Sequence, residues 1–546
     1  MSDTTFDAVI VGGGTKALML ALYLIKYGGM SVGIFERRHE IGGCLATEET
    51  AAPGFRGNTH ATMIHSYYYL PIYRDFPDFW DYGCQWEQYT GGSGYIFGDK
   101  ENCLNIYSVK HDPKQERSAK EIARFSQRDA EKWLKMWEFL RSDEYLRTNV
   151  DGLYLSPELR KTPEVMERQM AVLPKILEAG IIPDTGLLAA SLFRAVKEQF
   201  ESPELQSCIL RFAQSGETDL TESGHGATLV GMCGLLPTNG FNKGGTHQIA
   251  HALHQMLIHM GCKFYTHAEV DKVIIENGEA KGIKLVDGSQ VSARKIVVSA
   301  GLSTQQLCFD MIGREYIDPL LAKRAELLES TLGCLMWYTF AIHEAPKYKA
   351  AAFNPDINEC MWLGLAPSAK GQPERLAHES LYAKLKKWAP IEEYCPTVWC
   401  HSIVDPSYAP PGKHTANCEQ IVPQATTYTE KEWLVIKKRY AEELISIWQK
   451  HAPNMTWDNV IGVDTNSPWD AQRMKNIVPY GQMGGPDRSM FQIDDNRPAP
   501  ELANHRTPIK NLYATGNHWG SGCSAASNES YTCYRTIADE LGLGKP

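Results

Sequence analysis

The 546-residue chain contains no apolar run approaching the roughly 20 residues that a bilayer-crossing helix needs, so no membrane span is expected. Cys-x-x-Cys pairs are missing. Of 14 cysteines, Cys395 and Cys400 stand five apart and Cys523 and Cys533 ten apart, which fits no zinc pattern. Reduced, mostly buried thiols of a cytoplasmic protein are therefore expected, with no metal site. No segment carries a basic stripe, and a formal net charge of −10 argues against a nucleic-acid partner. Neither a Gly-x-Ser-x-Gly elbow nor a His-Glu-x-x-His zinc helix is present, which disfavours a hydrolase. The first strand begins at Phe6, leaving no room for a charged and then apolar leader, so no signal peptide is expected.

What the chain does have is concentrated in Thr5 to Gly43. Phe6 to Val11 is a short apolar run of the kind that forms a buried parallel strand. It enters Gly12-Gly13-Gly14-Thr15-Lys16-Ala17, a Gly-x-Gly-x-x-Gly/Ala pattern, followed by apolar residues at helical spacing to Tyr27 and a stop at Gly28-Gly29. A second strand, Ser31 to Phe35, delivers Glu36 at its carboxyl end. Gly12 permits the tight turn, Gly14 lets backbone approach a pyrophosphate, and Ala17 keeps the helix close to the sheet. The helix amino terminus offers free N–H groups, and Glu36 is placed to accept from a ribose hydroxyl. Strand, glycines, helix, strand and acid in order predict dinucleotide binding. Ile41-Gly42-Gly43 and Gly54-Phe55-Arg56-Gly57 follow. They resemble the extended fingerprint of FAD proteins of the glutathione-reductase and amine-oxidase type, which implies FAD rather than NAD.

At this length two domains are the natural expectation. His60 to Trp86 is rich in aromatic residues; most are read as core, and those nearest Arg56 and His60 as lining for an apolar ligand. Gly94 to Tyr107 reads as a hairpin, and Ser118 to about Ser215 as helices, broken by Pro174, Gly180, Pro183 and Gly186 into short pieces of a cap. Gly240 to Gly245 leads into an amphipathic helix, then a β-meander, then Arg294 to Ser299 ending in Ala300-Gly301. Leu335 to Ile342 and Val398 to Val404 read as strands, and Glu430 to Lys450 as a long helix. Leu512 to Thr515 reads as a strand ending in Gly516-Asn517, with a loop from His518 to Gly522 and a helix from near Cys523-Ser524 to Leu541.

End to end, the chain resembles the phytoene desaturase-like branch of flavoproteins, which includes carotenoid desaturases, carotenoid isomerases and retinol saturases. The likeness rests on VIVGGGTKALMLALYL, FERRHEIGG, GFRGNTHATMIH, TNGFNKGGTHQIAHAL, DPSYAPPGKH and NRPAPELANHRTPIKNLYATGN. It implies an α/β FAD-binding Rossmann-like domain (1–100, 225–310 and 471–546) and a discontinuous mixed α+β substrate domain (101–224 and 311–470). The implied cofactor residues are Gly12, Gly14, Thr15, Lys16, Ala17, Glu36, Arg37, Gly42, Gly43, Arg56, Val270, Gly301, Gly516, Asn517 and Ser524. Asn517 stands where the family usually has an acid, and His518-Trp519-Gly520-Ser521-Gly522-Cys523 replaces its usual Thr-His-Pro-Gly-Gly-Gly. These bulkier, more polar residues imply a substrate smaller or more polar than a C40 carotene.

The expected activity is dehydrogenation of a C–C bond in an isoprenoid, terpenoid or alicyclic compound, with hydride passing to flavin N5. His60, His518, Glu529 and Tyr531 are the candidate bases and polarising groups. A second dinucleotide fingerprint is lacking, since Gly91-Gly92-Ser93-Gly94 follows no apolar strand; a quinone or other electron acceptor is expected. A redox-neutral flavin-dependent isomerase and a non-catalytic prenyl carrier remain open. So do peripheral contact with the inner face of a membrane and oligomerisation.

Overall fold

Two seven-stranded sheets carry the architecture. A computed structural model describes residues 5–520 and 526–546. In the first sheet, β1 (Thr5–Val11) lies between β2 (Val32–Phe35) and the long strand Gln290–Ala300, parallel to both. Beyond β2 lies Lys263–Tyr265. The outer edge of Gln290–Ala300 is shared. Its first half pairs antiparallel with Glu279–Leu285, and its last residues pair parallel with Leu512–Thr515. Such a sheet is covered on both faces, which is why β1 and β2 read as nearly unbroken apolar runs.

The helix α1 (Thr15–Lys26) is buried from Thr15 to Leu24, wedged between the sheet and the helices His247–His259 and Asn528–Leu541. It stops at Gly29, whose φ of +60° suits glycine, while the Met30 N–H donates to the Leu24 carbonyl at 3.1 Å. Most of the aromatic run after His60 packs here: Tyr69, Phe76 and Phe79 are core residues of this layer.

The second sheet runs Val460–Asn466, Cys334–Ile342, His414–Val422, Thr397–Trp399, Leu363–Ala366, Gly91–Phe97, Asn102–Tyr107. All of Cys334–Ile342 is buried, backed by the helix Glu430–His451. Thr429 and Glu432 form a capping box that fixes where that helix starts. Gly91–Phe97 falls within 1–100 but hydrogen-bonds in this sheet, so the first segment gives up its last strand to the second layer. The expected strand Val398 to Val404 is cut short at Trp399. The chain turns through His401–Ile403 because the His401 ring is buried against the Tyr89 hydroxyl, 2.7 Å from its Nδ1.

Between Glu116 and Ser215 the chain forms short helices, from Glu116–Ala123 and Gln127–Leu140 to Leu192–Gln199 and Pro203–Ser215, a cap over one face of the second sheet. The closing helix is described from Asn528, with Ser521 to Ala525 outside the described residues; the expected start at Cys523-Ser524 and the cofactor contact of Ser524 lie there. All cysteines among the described residues are free thiols, all but Cys44 buried. No helix among the described residues is long and apolar enough to cross a membrane, and no group of three or more potential metal ligands occurs among them.

Candidate active site

A cleft of about 290 Å³ opens at the carboxyl ends of β1, β2 and Gln290–Ala300, where parallel sheets bind ligands. Its floor is Val11 to Gly14, and its walls are Phe35 to Arg38, Ala268 to Asp271, and Ala300 to Leu302. Backbone makes this floor. Gly12 has φ +95°, and a Cβ there would lie 3.1 Å from the Ala300 carbonyl oxygen. Gly42, with φ +113°, bridges to Gly14 and would collide with the Ala250 side chain at 2.9 Å. The Glu36 carboxylate accepts from the Gly13 N–H at 2.7 Å and from the Arg38 N–H at 2.8 Å. A carboxylate has about four acceptor positions, so two bonds orient it and leave capacity for ribose hydroxyls.

Seven of the expected cofactor residues line this cleft: Gly12, Gly14, Glu36, Arg37, Gly43, Val270 and Gly301. Thr15, Lys16, Ala17 and Gly42 are buried just behind it. Gly516 abuts Gly301, and the Asn517 amide donates to the Met483 carbonyl at 2.8 Å. Arg56 is not among the residues that line the cleft, and its charge is felt at Tyr408. A wall that sequence reasoning missed comes from the end of the helix Pro468–Lys475. Arg37 and Arg38 donate to the carbonyls of Arg473 and Met474 at 3.0 and 2.6 Å, and the Asn476 amide donates to Gly301 at 3.2 Å. Nothing in the local sequence marks that helix end as a ligand wall. A glycine floor, an oriented acidic acceptor and a helix amino terminus fit the adenosine diphosphate half of FAD.

Two more cavities adjoin on the cap side. One, of about 220 Å³, is lined by His60 to Met63, Leu335, Trp337, Glu419, Ser215 to Glu217, Met483-Gly484, Ala526 and Asn528. The other, of about 620 Å³, runs outward between Leu140, Tyr145, Leu146, Val150, Leu155 and Gly231. They share Leu153, Met232, Leu235, Arg488 and Asn528, so together they form one corridor. At its outer end Leu70, Leu146 and Val150 are exposed. The combined space falls in the range of about 300–1,000 Å³ usual for small-molecule sites.

The four candidate catalytic side chains are dispersed. His60 lines the inner cavity, its Nδ1 3.1 Å from Thr59 Oγ1, its Nε2 without a hydrogen-bond partner and its ring 5.2 Å from that of Trp337. Burial, with Lys475 and Arg38 nearby, pushes its pKa down to about 3, so the ring is neutral. His518 lies outside both cavities. It is buried with Nδ1 3.0 Å from Thr304 Oγ1 and 3.2 Å from the Thr304 N–H, which donates to it. Glu529 is fully buried and ion-paired with Lys16, whose ammonium also donates to the Ala526 carbonyl at 2.7 Å. The Tyr531 hydroxyl accepts from Arg74 at 3.1 Å, and its ring packs edge-on against Tyr23 on the far side of α1.

The inner cavity holds instead two carboxyl groups that the sequence reading missed. Glu217, in the left-handed region at φ +60°, follows the helix Pro203–Ser215. Burial pushes its pKa up to about 7, against the pull of Arg488 and Arg497. Glu419 stands opposite Trp337 in the sheet, and burial raises its pKa too. The one available signal was a charged residue inside the otherwise buried strand His414–Val422; Glu217 had none. Arg497, from the NRPAP segment, is wholly buried and ties the surrounding loops together. It donates to the carbonyls of Pro486 at 2.7 Å and Asn517 at 3.1 Å, and to that of Gly484.

A glycine-floored dinucleotide cleft beside an apolar corridor defines a flavoprotein oxidoreductase of the FAD-binding type. Residues 10–82 match the family model of an NAD(P)-binding Rossmann-like domain. The chain is 26% identical to pyridine nucleotide-disulfide oxidoreductase domain-containing protein 2 of Mus musculus, over 97% of this chain and 94% of the other. It is 24% identical to a limonene dehydrogenase subunit of Castellaniella defragrans, over 98% and 95%, and 24% identical to a phytoene desaturase of Cereibacter sphaeroides, over 51% and 50%. Among solved structures, an engineered putrescine oxidase superimposes with a TM-score of 0.59 at 12% identity, covering 98% of each chain. Cyclohexylamine oxidase from Brevibacterium oxydans gives 0.55 at 14%, covering 98% of this chain and 99% of that one. The chain is thus similar over nearly its whole length to named oxidoreductases and over half of it to a phytoene desaturase, and its cofactor is FAD.

Proposed function

We propose that the protein dehydrogenates a C–C bond of an apolar alicyclic or terpenoid substrate. The observation that carries this reading is the apolar corridor. It runs from exposed Leu146 and Val150 past Leu153, Met232 and Leu235, and its inner end is walled by His60 to Met63 and Ala526 to Asn528. Full-length similarity to the Castellaniella limonene dehydrogenase chain supports the substrate class.

FAD, when bound, supplies the two-electron acceptor for the hydride. The chain's residues do the rest. Gly12 to Gly14, Glu36, Gly42-Gly43, Val270 and Gly301 would hold its dinucleotide half. The corridor orients the substrate and excludes water. One C–H bond gives up hydrogen with its electron pair; the adjacent carbon gives up a proton, and the C=C bond forms between them. Glu217 takes that proton on Oε1, which has no hydrogen-bond partner; a pKa of about 7 matches neutral pH better than the much weaker base His60. A quinone or another acceptor would take the electrons onward, a reading supported by the single dinucleotide fingerprint in the sequence.

The test is anaerobic mixing of yellow holoenzyme with a panel of cyclic terpenoids and alicyclic hydrocarbons. The expected result is loss of the visible flavin bands, with a product two hydrogens lighter by mass spectrometry. A panel that leaves those bands unbleached, in protein that dithionite still reduces, overturns the reading.

A further inference from the structure

The inner end of the corridor is chemically unlike its length. Where Leu146, Val150, Leu153, Met232 and Leu235 are apolar, the last cavity collects buried polar atoms that the fold leaves unused. Glu419 Oε1, Ser215 Oγ and His60 Nε2 have no hydrogen-bond partner, and their residues are 2%, 4% and 2% exposed. The Ser215 hydroxyl and the Trp362 indole both reach toward Glu419 as donors and favour its charge, but neither closes a bond of proper geometry to Oε1, which leaves room for a third group between them. Leaving a buried polar group unsatisfied is costly, and native structures carry few such atoms. Together with Glu217 Oε1, these three face one cavity from the first residues after Gly57, the end of the helix Pro203–Ser215 and the strand His414–Val422, so they are not the property of one loop.

We infer that this end of the cavity binds a hydroxyl group carried by the substrate, with Glu419 Oε1 as the acceptor of its proton-bearing bond and Ser215 Oγ and His60 Nε2 as the surrounding partners. The inference rests on the reading of the corridor as a terpenoid or alicyclic site and narrows it to an oxygenated member of that class. A hydroxyl both donates and accepts, so it satisfies a carboxylate and a serine together, which a hydrocarbon does not. An ammonium group fits less well. The carboxylates are already faced by positive charge from Arg488 and Arg497 beside Glu217 and from Arg211 behind Glu419, so the site is not a net anionic trap. The hydroxyl serves as the fixed point from which the apolar body is measured. It decides which C–C bond is presented for oxidation.

The experiment compares three compounds on one carbon skeleton: limonene, perillyl alcohol and perillylamine. Binding to the oxidised holoenzyme is followed by the shift of the visible flavin bands, in wild type and in the variants E419M and S215A. The expected result is that the alcohol binds wild type at least about tenfold tighter than the hydrocarbon, the size of one buried hydrogen bond. E419M should erase that gap, and S215A should narrow it. Equal affinities of alcohol and hydrocarbon in wild type overturn the inference, and so does an amine that binds tighter than the alcohol. If E419M fails to fold, the wild-type ratio and S215A decide alone. Failure of the broader reading looks different: no compound then bleaches the flavin under anaerobic conditions, whatever the ratio of affinities.

Discussion

The dinucleotide cleft and the substrate corridor are built from different materials. In the cleft, backbone does the work. Gly12, Gly14, Gly42 and Gly43 shape it, and its acidic acceptor, Glu36, is held by two backbone N–H groups. In the corridor, side chains do the work. They converge from the cap helices, the second sheet and the loops tied by Arg497. A backbone site is intolerant of added atoms, whereas a side-chain site is intolerant of lost partners. The two regions should therefore break in opposite ways.

The sharpest break is in the cleft. Gly12→Val puts a branched side chain against the Ala300 carbonyl at a backbone angle that valine rarely adopts. Expected is purified protein with less than about a tenth of the wild-type flavin content, read from the visible spectrum; a fully yellow variant refutes the cleft assignment. In the corridor wall the equivalent is subtraction. Arg211 and Glu379 form a buried ion pair at 2.7 Å, with side chains 1% and 3% exposed, directly behind Phe212 and Ser215. Arg211→Met strands the Glu379 carboxyl, and urea denaturation should report a loss of about 3–5 kcal/mol. R211M/E379L should recover most of it, and a double variant as unstable as the single one would show that packing dominates.

Smaller effects sharpen the contrast. Glu36→Ala removes an oriented acceptor without blocking the cleft. FAD affinity should fall about ten- to a hundredfold by fluorescence titration, while the fold persists. The gentlest probe is pH. The pKa of Glu217 is raised from 4.5 to about 7, so between those values the folded protein holds a proton that the unfolded chain has released. Its contribution to stability is complete below pH 4.5 and is lost as pH rises through 7. Glu217→Gln should therefore melt above wild type at pH 8, by about 2–4 °C, with the gap closing toward pH 4.5. The buried histidines act the other way. His60 and His401 are pushed down to about 3, and His65 and His505 to about 4, so their contribution is present above pH 6.5 and lost as pH falls. A wild-type melting temperature that stays flat from pH 6.5 to 4 would contradict this.

The same contrast explains what was legible in the sequence. A backbone site leaves a linear trace, because glycines at fixed spacing between a strand and a helix are adjacent in the chain. The cleft could therefore be read almost residue by residue, from Gly12 to Glu36 and on to Val270 and Gly301. A side-chain site has no such trace. Ser215, Glu217, Trp337 and Glu419 meet only because two strands pair in register and a cap helix ends above them. Chemical type misled as well. Glu529 and Tyr531 stand near the end of the FAD motifs in sequence, yet the first is neutralised by Lys16 and the second faces Tyr23. The helix wall at Arg473 to Asn476 escaped because it touches the cleft largely through carbonyl oxygens, which every residue has.

The partnership of Lys16 with Glu529 joins residues 513 apart in sequence, and Leu512–Thr515 completes the outer edge of Gln290–Ala300. A nascent chain thus displays the glycine turn long before the strand Leu512–Thr515 and the helix Asn528–Leu541 that close around it are made. Firm retention of the yellow cofactor should therefore wait for that closure, and chains truncated before residue 512 should accumulate colourless.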